Sequence, residues 1–242
     1  MRAERAASVM ERWAWAAGLL FVVALLLEAG VSAVIPINQD DSATKIATEL
    51  AAHRQRVLFV AYCSTVYAPM FVIWLWKLHE LLSNDARRPR LGTLVLAGGV
   101  LFVSLHAVSD IGIMGMLGAK VAPVAAREDQ TLSYTLYLLT FALDSVGDVF
   151  GSLFAVAAGM LIFQRGVLPR WLGWTAVAFG AFFFVQGFGL GGVISTFGLV
   201  TDLIGWLLFL VFVTASSAIM LARREPAAEP GATRAAPVAG PV

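Results

Sequence analysis

The sequence is poor in charged residues and in cysteine. Only 14% of its 242 residues are charged, whereas 59% are hydrophobic, and the mean hydropathy is +0.80. Soluble domains carry about 25% charged residues, so this composition excludes an ordinary soluble domain and favours a membrane protein. The single cysteine, Cys63, excludes a disulfide framework, a CxxC redox pair and a cysteine-based zinc site within one chain. We expect Cys63 to be a small buried apolar residue.

Several sequence motifs of enzymes and nucleotide-binding proteins are also lacking. No GxSxG occurs, and the glycine-rich stretch 189–198 has neither GxGxxG nor Walker spacing and no following lysine. We therefore expect no serine hydrolase elbow and no phosphate-binding loop. The basic residues lie in short loops rather than on one continuous surface, so no nucleic-acid partner is expected.

Long apolar runs dominate the chain. Six of them are long enough to cross a hydrocarbon core about 30 Å thick, and they predict an all-α fold, a six-helix transmembrane bundle in the lipid bilayer. The predicted spans are 13–35, 57–78, 91–118, 132–163, 171–190 and 199–221. Residues 1–12 precede this transmembrane domain of residues 13–222. The tail 223–242 is rich in Ala, Pro and Gly and is expected to be disordered.

The basic residues are distributed unequally between the two sides of the predicted bundle. Twelve fall on one side and five on the other. The twelve are Arg2, Arg5, Arg12, Lys77, Arg87, Arg88, Arg90, Arg165, Arg170, Arg223, Arg224 and Arg234, and the five are Lys45, Arg54, Arg56, Lys120 and Arg127. Because basic residues accumulate in cytoplasmic loops, both termini are predicted to lie in the cytoplasm, which agrees with an even number of spans.

A polar segment separates the first two predicted spans. Asp40, Asp41 and Ser42 are all favoured N-cap residues, and Ile46, Leu50 and Val57 recur at helical spacing. We predict a short amphipathic helix at the outer surface. The alternative is that this segment continues directly into the second span.

The fourth predicted span carries two aspartates, Asp144 and Asp148, at its centre. A charged side chain in hydrocarbon costs about 2.5–3.5 kcal/mol, so both must face protein, water or an ion. They are four residues apart and therefore share one helical face. Small residues continue that face, namely Gly147, Gly151, Ala155, Ala158 and Gly159. The bulky residues available for lipid or for large neighbours are Val149, Phe150, Leu153 and Phe154.

Polar residues of five predicted spans lie at overlapping depths. With a rise of about 1.5 Å per residue, three of them lie about 22 Å from the inner ends of their spans. The band consists of Glu28, His106, Asp110, Asp144, Asp148, Gln186 and Asp202. Ionisable residues within a membrane are rare and usually face the interior of the bundle, so these residues are the candidate site.

Three interpretations of this band remain open. The first is a hydrogen-bonded network that holds the helices together, as in a structural or accessory subunit. The second is a proton or cation path, or a pocket for a small solute, with no cofactor. Its carriers would be Glu28, Asp110, Asp144 and Asp148. The third is a metal-dependent membrane enzyme, in which a divalent metal activates a water. Its ligands would be His106, Asp110, Asp144 and Asp148. We favour the second interpretation as the function, with a metal-dependent enzyme as the alternative and a structural or accessory subunit as the second alternative.

Three segments resemble a known group of proteins. They are GVLPRWLGW before the fifth span, DDSATKIATELAAHRQRVLFVAY leading into the second span, and the closing WLLFLVFVTASSAIMLARR. Together they resemble an uncharacterised group of bacterial, largely actinobacterial, multi-pass membrane proteins related to those with the domain of unknown function 4386. The resemblance implies a six-helix protein of the bacterial inner (plasma) membrane. It transfers no site residue.

Overall fold

The computed structural model describes residues 2–38, 40–83, 89–125, 130–188 and 195–223, and all regular structure within them is helical. The α-helices are α1 (Arg2–Ser32), α2 (Ala43–Ala52), α3 (Arg54–Ser83), α4 (Pro89–Ala107), α5 (Ala122–Ala125), α6 (Thr131–Arg165), α7 (Arg170–Phe188) and α8 (Ser195–Ala222). Two π-helical segments, Val108–Met114 and Leu117–Val121, continue α4. The predicted all-α fold is confirmed for these residues.

Five of the described helical stretches are long and apolar enough to cross a membrane. They are Met10–Ser32, Arg54–Ser83, Arg90–Val121, Thr131–Arg165 and Thr201–Ala222, and they correspond to every predicted span except the fifth. The fifth predicted span, 171–190, corresponds to α7, which ends at Phe188. The end of that span and the predicted tail from 224 onwards lie outside the described residues.

Neighbouring long helices run in opposite directions. Gly159 of α6 lies against Gly173 of α7, whereas Gly187 at the other end of α7 lies against Val149. α1 and α8 also pack together, with Gly18 beside Ser217. The beginning of α1 and the end of α8 therefore lie at one end of the bundle, called the terminal end below.

α6 is the central helix. Within its most apolar stretch 61% is buried, compared with 33–44% in the other four candidate spans. A Cβ on Gly98 of α4 would lie 2.9 Å from the backbone of Phe150 and Phe154, so glycine is needed for this close approach. The stripe of small residues on α6 is buried, as predicted. The bulky residues of α6 differ in exposure: Leu153 is 44% exposed, whereas Phe154 is fully buried.

The predicted short helix is α2. The Ser42 hydroxyl caps it by accepting a hydrogen bond from the Lys45 amide at 3.3 Å. Ile46 and Leu50 are completely buried and pack on residues of α3, α6 and the second π-helical segment. His53 ends α2, so this segment does not continue directly into the next helix. The apolar face of α2 therefore covers protein at the end of the bundle opposite the terminal end.

Aromatic rings from six helices fill the middle of the bundle. Their side chains are 0–3% exposed, and neighbouring ring centroids lie 5.1–6.3 Å apart. We call this the aromatic layer, and its members are Phe21, Phe71, Trp74, Phe102, Phe154, Phe179, Phe183, Phe209 and Phe212. Edge-on and tilted contacts of this kind add to the free energy gained by burying the rings.

Candidate functional site

The predicted polar residues converge on the side of the aromatic layer away from the terminal end. Glu28 of α1 lies within electrostatic range of Asp110, Asp144 and His106, and Asp202 of α8 lies within range of His106. We call this group the polar cluster. Its members are Glu28, Tyr67, His106, Asp110, Asp144, Asp148, Gln186 and Asp202, contributed by α1, α3, α4 with its π-helical continuation, α6, α7 and α8.

His106 is held in a defined orientation by a backbone group. Its Nδ1 atom lies 2.9 Å from the carbonyl oxygen of Phe102. Because a carbonyl can only accept, Nδ1 carries the hydrogen and donates it. The other ring nitrogen, Nε2, lies 3.6 Å from Oδ1 of Asp148. That separation permits an ion pair but is longer than a hydrogen bond.

The His106 imidazole occupies a closely packed aromatic site. Its centroid lies 4.6 Å from the Phe102 ring and 5.6 Å from the Trp206 ring, and the residue is 8% exposed. A Cβ on Gly147 would lie only 2.7 Å from two atoms of the imidazole. Gly147 thus makes room for His106 on the face of α6 that carries both aspartates.

The two aspartates of α6 present unused acceptors. Asp148 is 6% exposed, and Asp144 lies in the same buried face one turn away. The Ser109 hydroxyl donates a hydrogen bond to the Thr140 carbonyl at 3.3 Å and lies close to the Asp144 carboxyl group. Oδ1 of Asp144 and Oδ1 of Asp148 are both buried and have no hydrogen-bond partner among the described residues. A buried acceptor without a donor is costly, so these two oxygens favour a positively charged or proton-carrying partner.

Asp110 points towards α3. Its Oδ2 accepts hydrogen bonds from the Tyr67 hydroxyl at 2.5 Å and from the Ser64 hydroxyl at 3.1 Å. His106 and Asp110 are four residues apart, a spacing that places two side chains on one face of an ordinary α-helix. They contact different helices, because the π-helical segment that begins at Val108 widens the turn between them.

A third polar group joins α7 to α8. The side-chain amide of Gln186 donates a hydrogen bond to Asp202 Oδ1, and the Trp206 indole donates to the same carboxylate. Oε1 of Gln186 is buried without a partner among the described residues. Trp206 therefore contacts both Asp202 and the His106 ring, which connects α8 to the rest of the cluster.

Four supporting residues were not in the predicted site. They are Ser64, Tyr67, Gly147 and Trp206. Ser64 and Tyr67 are three residues apart, and Trp206 follows Asp202 by four residues. Residues at these spacings lie on the same face of a helix, so the sequence could have indicated these three residues as neighbours of the site. Gly147 was assigned to the correct face but given no role.

No metal centre is found in the described part of the chain, where no three His, Cys, Asp or Glu side chains are arranged so that they could hold an ion. Two surface hollows lie at the terminal end, away from the polar cluster. One is lined by Arg12, Trp13, Ala16 and Leu221, and the other by Trp76, His79, Glu80 and Ser83.

The fold and the cluster define a class of protein: a helical protein with several helices apolar enough for a membrane and a buried polar cluster between them. Comparison with protein-family models, with curated proteins and with solved structures finds no match.

Proposed function

We propose that this chain is a six-span bacterial inner-membrane protein that binds or passes a proton or a small cation at the polar cluster. The observation that carries the proposal is the buried, unpartnered Oδ1 of Asp148, which faces His106 among four other carboxyl groups. We retain the relation to the domain-of-unknown-function 4386 group as part of the proposal.

The charges of the cluster support a cationic ligand. It contains five carboxyl groups but only one imidazole. Several uncompensated carboxylates cannot remain within a hydrocarbon-like interior, because each would cost several kcal/mol. Protons or cations must therefore neutralise part of this charge. Carboxylate and amide oxygens are also the ligands preferred by hard cations.

The aromatic layer supports access from one side. Glu28, Asp110, Asp144 and Asp202 are half-buried, whereas the rings on the terminal side of the cluster are 0–3% exposed. An ion could therefore reach the carboxylates from the opposite end more easily than through the rings. A protein that passes the ion must repack these rings during its cycle.

The positions of tryptophan support the proposed orientation. Trp13, Trp76, Trp171 and Trp174 are 49–66% exposed, and all four lie towards the terminal end. Exposed tryptophans typically lie at a membrane interface. The more basic side of the predicted bundle is the same end, so we place the terminal end in the cytoplasm and count α7 as the sixth span.

Ion flux in proteoliposomes tests the proposal. Purified protein is reconstituted with entrapped indicators for H⁺, Na⁺ and K⁺, and a gradient of each ion is imposed in turn. We expect wild-type protein to bind or pass at least one of them, and Asp148→Asn to lower the rate at least tenfold. Glu49→Gln, which removes a carboxylate of α2 outside the cluster, is the matched control and should behave like wild type.

Elemental analysis of the same preparation separates the two alternatives. A stoichiometric divalent metal that is lost in Asp148→Asn, together with no flux, would replace the proposal with a metal-dependent enzyme. If the protein shows no ion flux, no bound ion and no metal, the remaining interpretation is a structural or accessory subunit.

A further inference from the structure

A groove at the terminal end is chemically different from the polar cluster. It has a volume of about 350 Å³ and is lined by Arg12, Trp13 and Ala16 of α1 and by Leu221 of α8. This volume falls within the range of ligand-binding sites, roughly 300–1,000 Å³. One cationic side chain and three apolar ones line it, so the groove matches a ligand that is itself amphipathic.

The positive charge in the groove is available to an anion. Arg12 is exposed. The neighbouring Glu11 already contacts Lys77 of α3 at 2.7 Å, so that carboxylate is directed to the α3 side of α1. The positive charge at the edge of the groove is therefore that of Arg12.

The apolar part of the groove continues along the bundle. Leu20 follows Ala16 by four residues on the same face of α1 and is 49% exposed. Trp13, 66% exposed, lies at the level where interfacial tryptophans are found. A hydrocarbon chain could run from Trp13 past Ala16 and Leu20 while its polar head remains beside Arg12.

We propose that this groove binds one phospholipid with an anionic headgroup from the surrounding bilayer. Its phosphate contacts Arg12 and one acyl chain lies between α1 and α8. A zwitterionic lipid carries its own cation and gains less from a basic edge. This site is independent of ion binding at the polar cluster.

Native mass spectrometry tests the lipid site. The protein is incorporated into nanodiscs of equal parts dioleoyl phosphatidylglycerol and dioleoyl phosphatidylcholine, then released in mild detergent, and the retained lipids are counted. We expect one phosphatidylglycerol to remain on the wild-type protein in clear preference to phosphatidylcholine. Arg12→Gln should lower that retention about fivefold. Arg170→Gln removes an exposed arginine from the beginning of α7, outside the groove, and should change nothing.

A second variant tests the acyl chain. Ala16→Leu fills the groove without changing charge and should reduce retention of the same lipid, while circular dichroism checks that the helices remain intact. Equal retention of the two lipids by wild type, or equal losses in Arg12→Gln and Arg170→Gln, would overturn the proposal. Arg12→Gln alters only an exposed side chain, so it remains decisive if Ala16→Leu fails to fold.

Discussion

Replacing Gly147 with alanine tests how the polar cluster is built. The added methyl group would lie 2.7 Å from Cε1 and Nδ1 of His106, whereas ordinary contacts begin near 3.4 Å. The ring has little room to retreat, since Phe102 and Trp206 pack against it. Nδ1 is also the atom that donates to the Phe102 carbonyl, so any shift of the ring weakens that hydrogen bond.

The expected change in stability follows from three contributions. Overpacking costs about 1–3 kcal/mol, and the weakened hydrogen bond up to about 1 kcal/mol. The higher helix propensity of alanine offsets about 1 kcal/mol. These contributions sum to about 0–3 kcal/mol, so we expect Gly147→Ala to destabilise the protein by up to about 3 kcal/mol and to lower the midpoint of thermal unfolding in detergent by up to roughly 12 °C.

Gly30→Ala is the matched control. Gly30 also lies within a helix, but a Cβ there meets no heavy atom within 4 Å, so only the gain in helix propensity remains. Nitrogen NMR of the His106 imidazole provides a second measurement, because Nδ1 should lose its hydrogen-bonded signature in Gly147→Ala alone. Equal midpoints and identical imidazole spectra in the two variants would refute the assigned packing.

Two other perturbations test one contact inside the polar cluster and one at the exposed start of α2. Tyr67→Phe removes the hydroxyl that donates to Asp110 and should cost about 1.5–3 kcal/mol in unfolding measurements. Tyr62→Phe, on an exposed tyrosine of the same helix, should cost almost nothing, and equal losses would contradict the assignment. Outside the membrane-spanning helices, the hydrogen bond from Lys45 lowers the pKa of Asp41 below its ordinary value. That interaction should persist above the ordinary pKa and disappear as the pH falls through the lowered one. Carbon NMR of the carboxyl group should show the low midpoint, and Lys45→Gln should raise it; an unchanged midpoint would argue against the contact.

The long helices and the inward face of α6 could be predicted because both depend on local pattern. A run of apolar residues needs only its length to indicate a span. Asp144 and Asp148 could be assigned to the inward face of α6 because a charged side chain that faces hydrocarbon costs several kcal/mol. Helix α2 could be predicted from the N-cap residues before it and from the helical spacing of Ile46 and Leu50.

Contacts between helices could not be predicted in the same way. Gln186 and Asp202 meet across two helices, and no spacing along the chain predicts that hydrogen bond. The sequence of α6 alone does not determine whether Phe154 faces lipid or protein. Phe154 is buried because aromatic rings of neighbouring helices pack around it. The π-helical turn after Ala107 was missed because an almost wholly apolar segment shows no clear period, so a wider turn leaves no sign in the sequence.

The wide turns of the π-helical segments also set the register of everything that follows them. Each π-helical turn holds one residue more than an α-helical turn, so the deletion of a single residue between 108 and 114 is absorbed by a return to ordinary α-helical spacing. Leu117, which packs beneath α2 with Ile46 and Leu50, then keeps its direction. An added residue has no such outlet and would rotate Leu117 by about 100°, away from α2. The segment therefore tolerates the loss of one residue but not the gain of one.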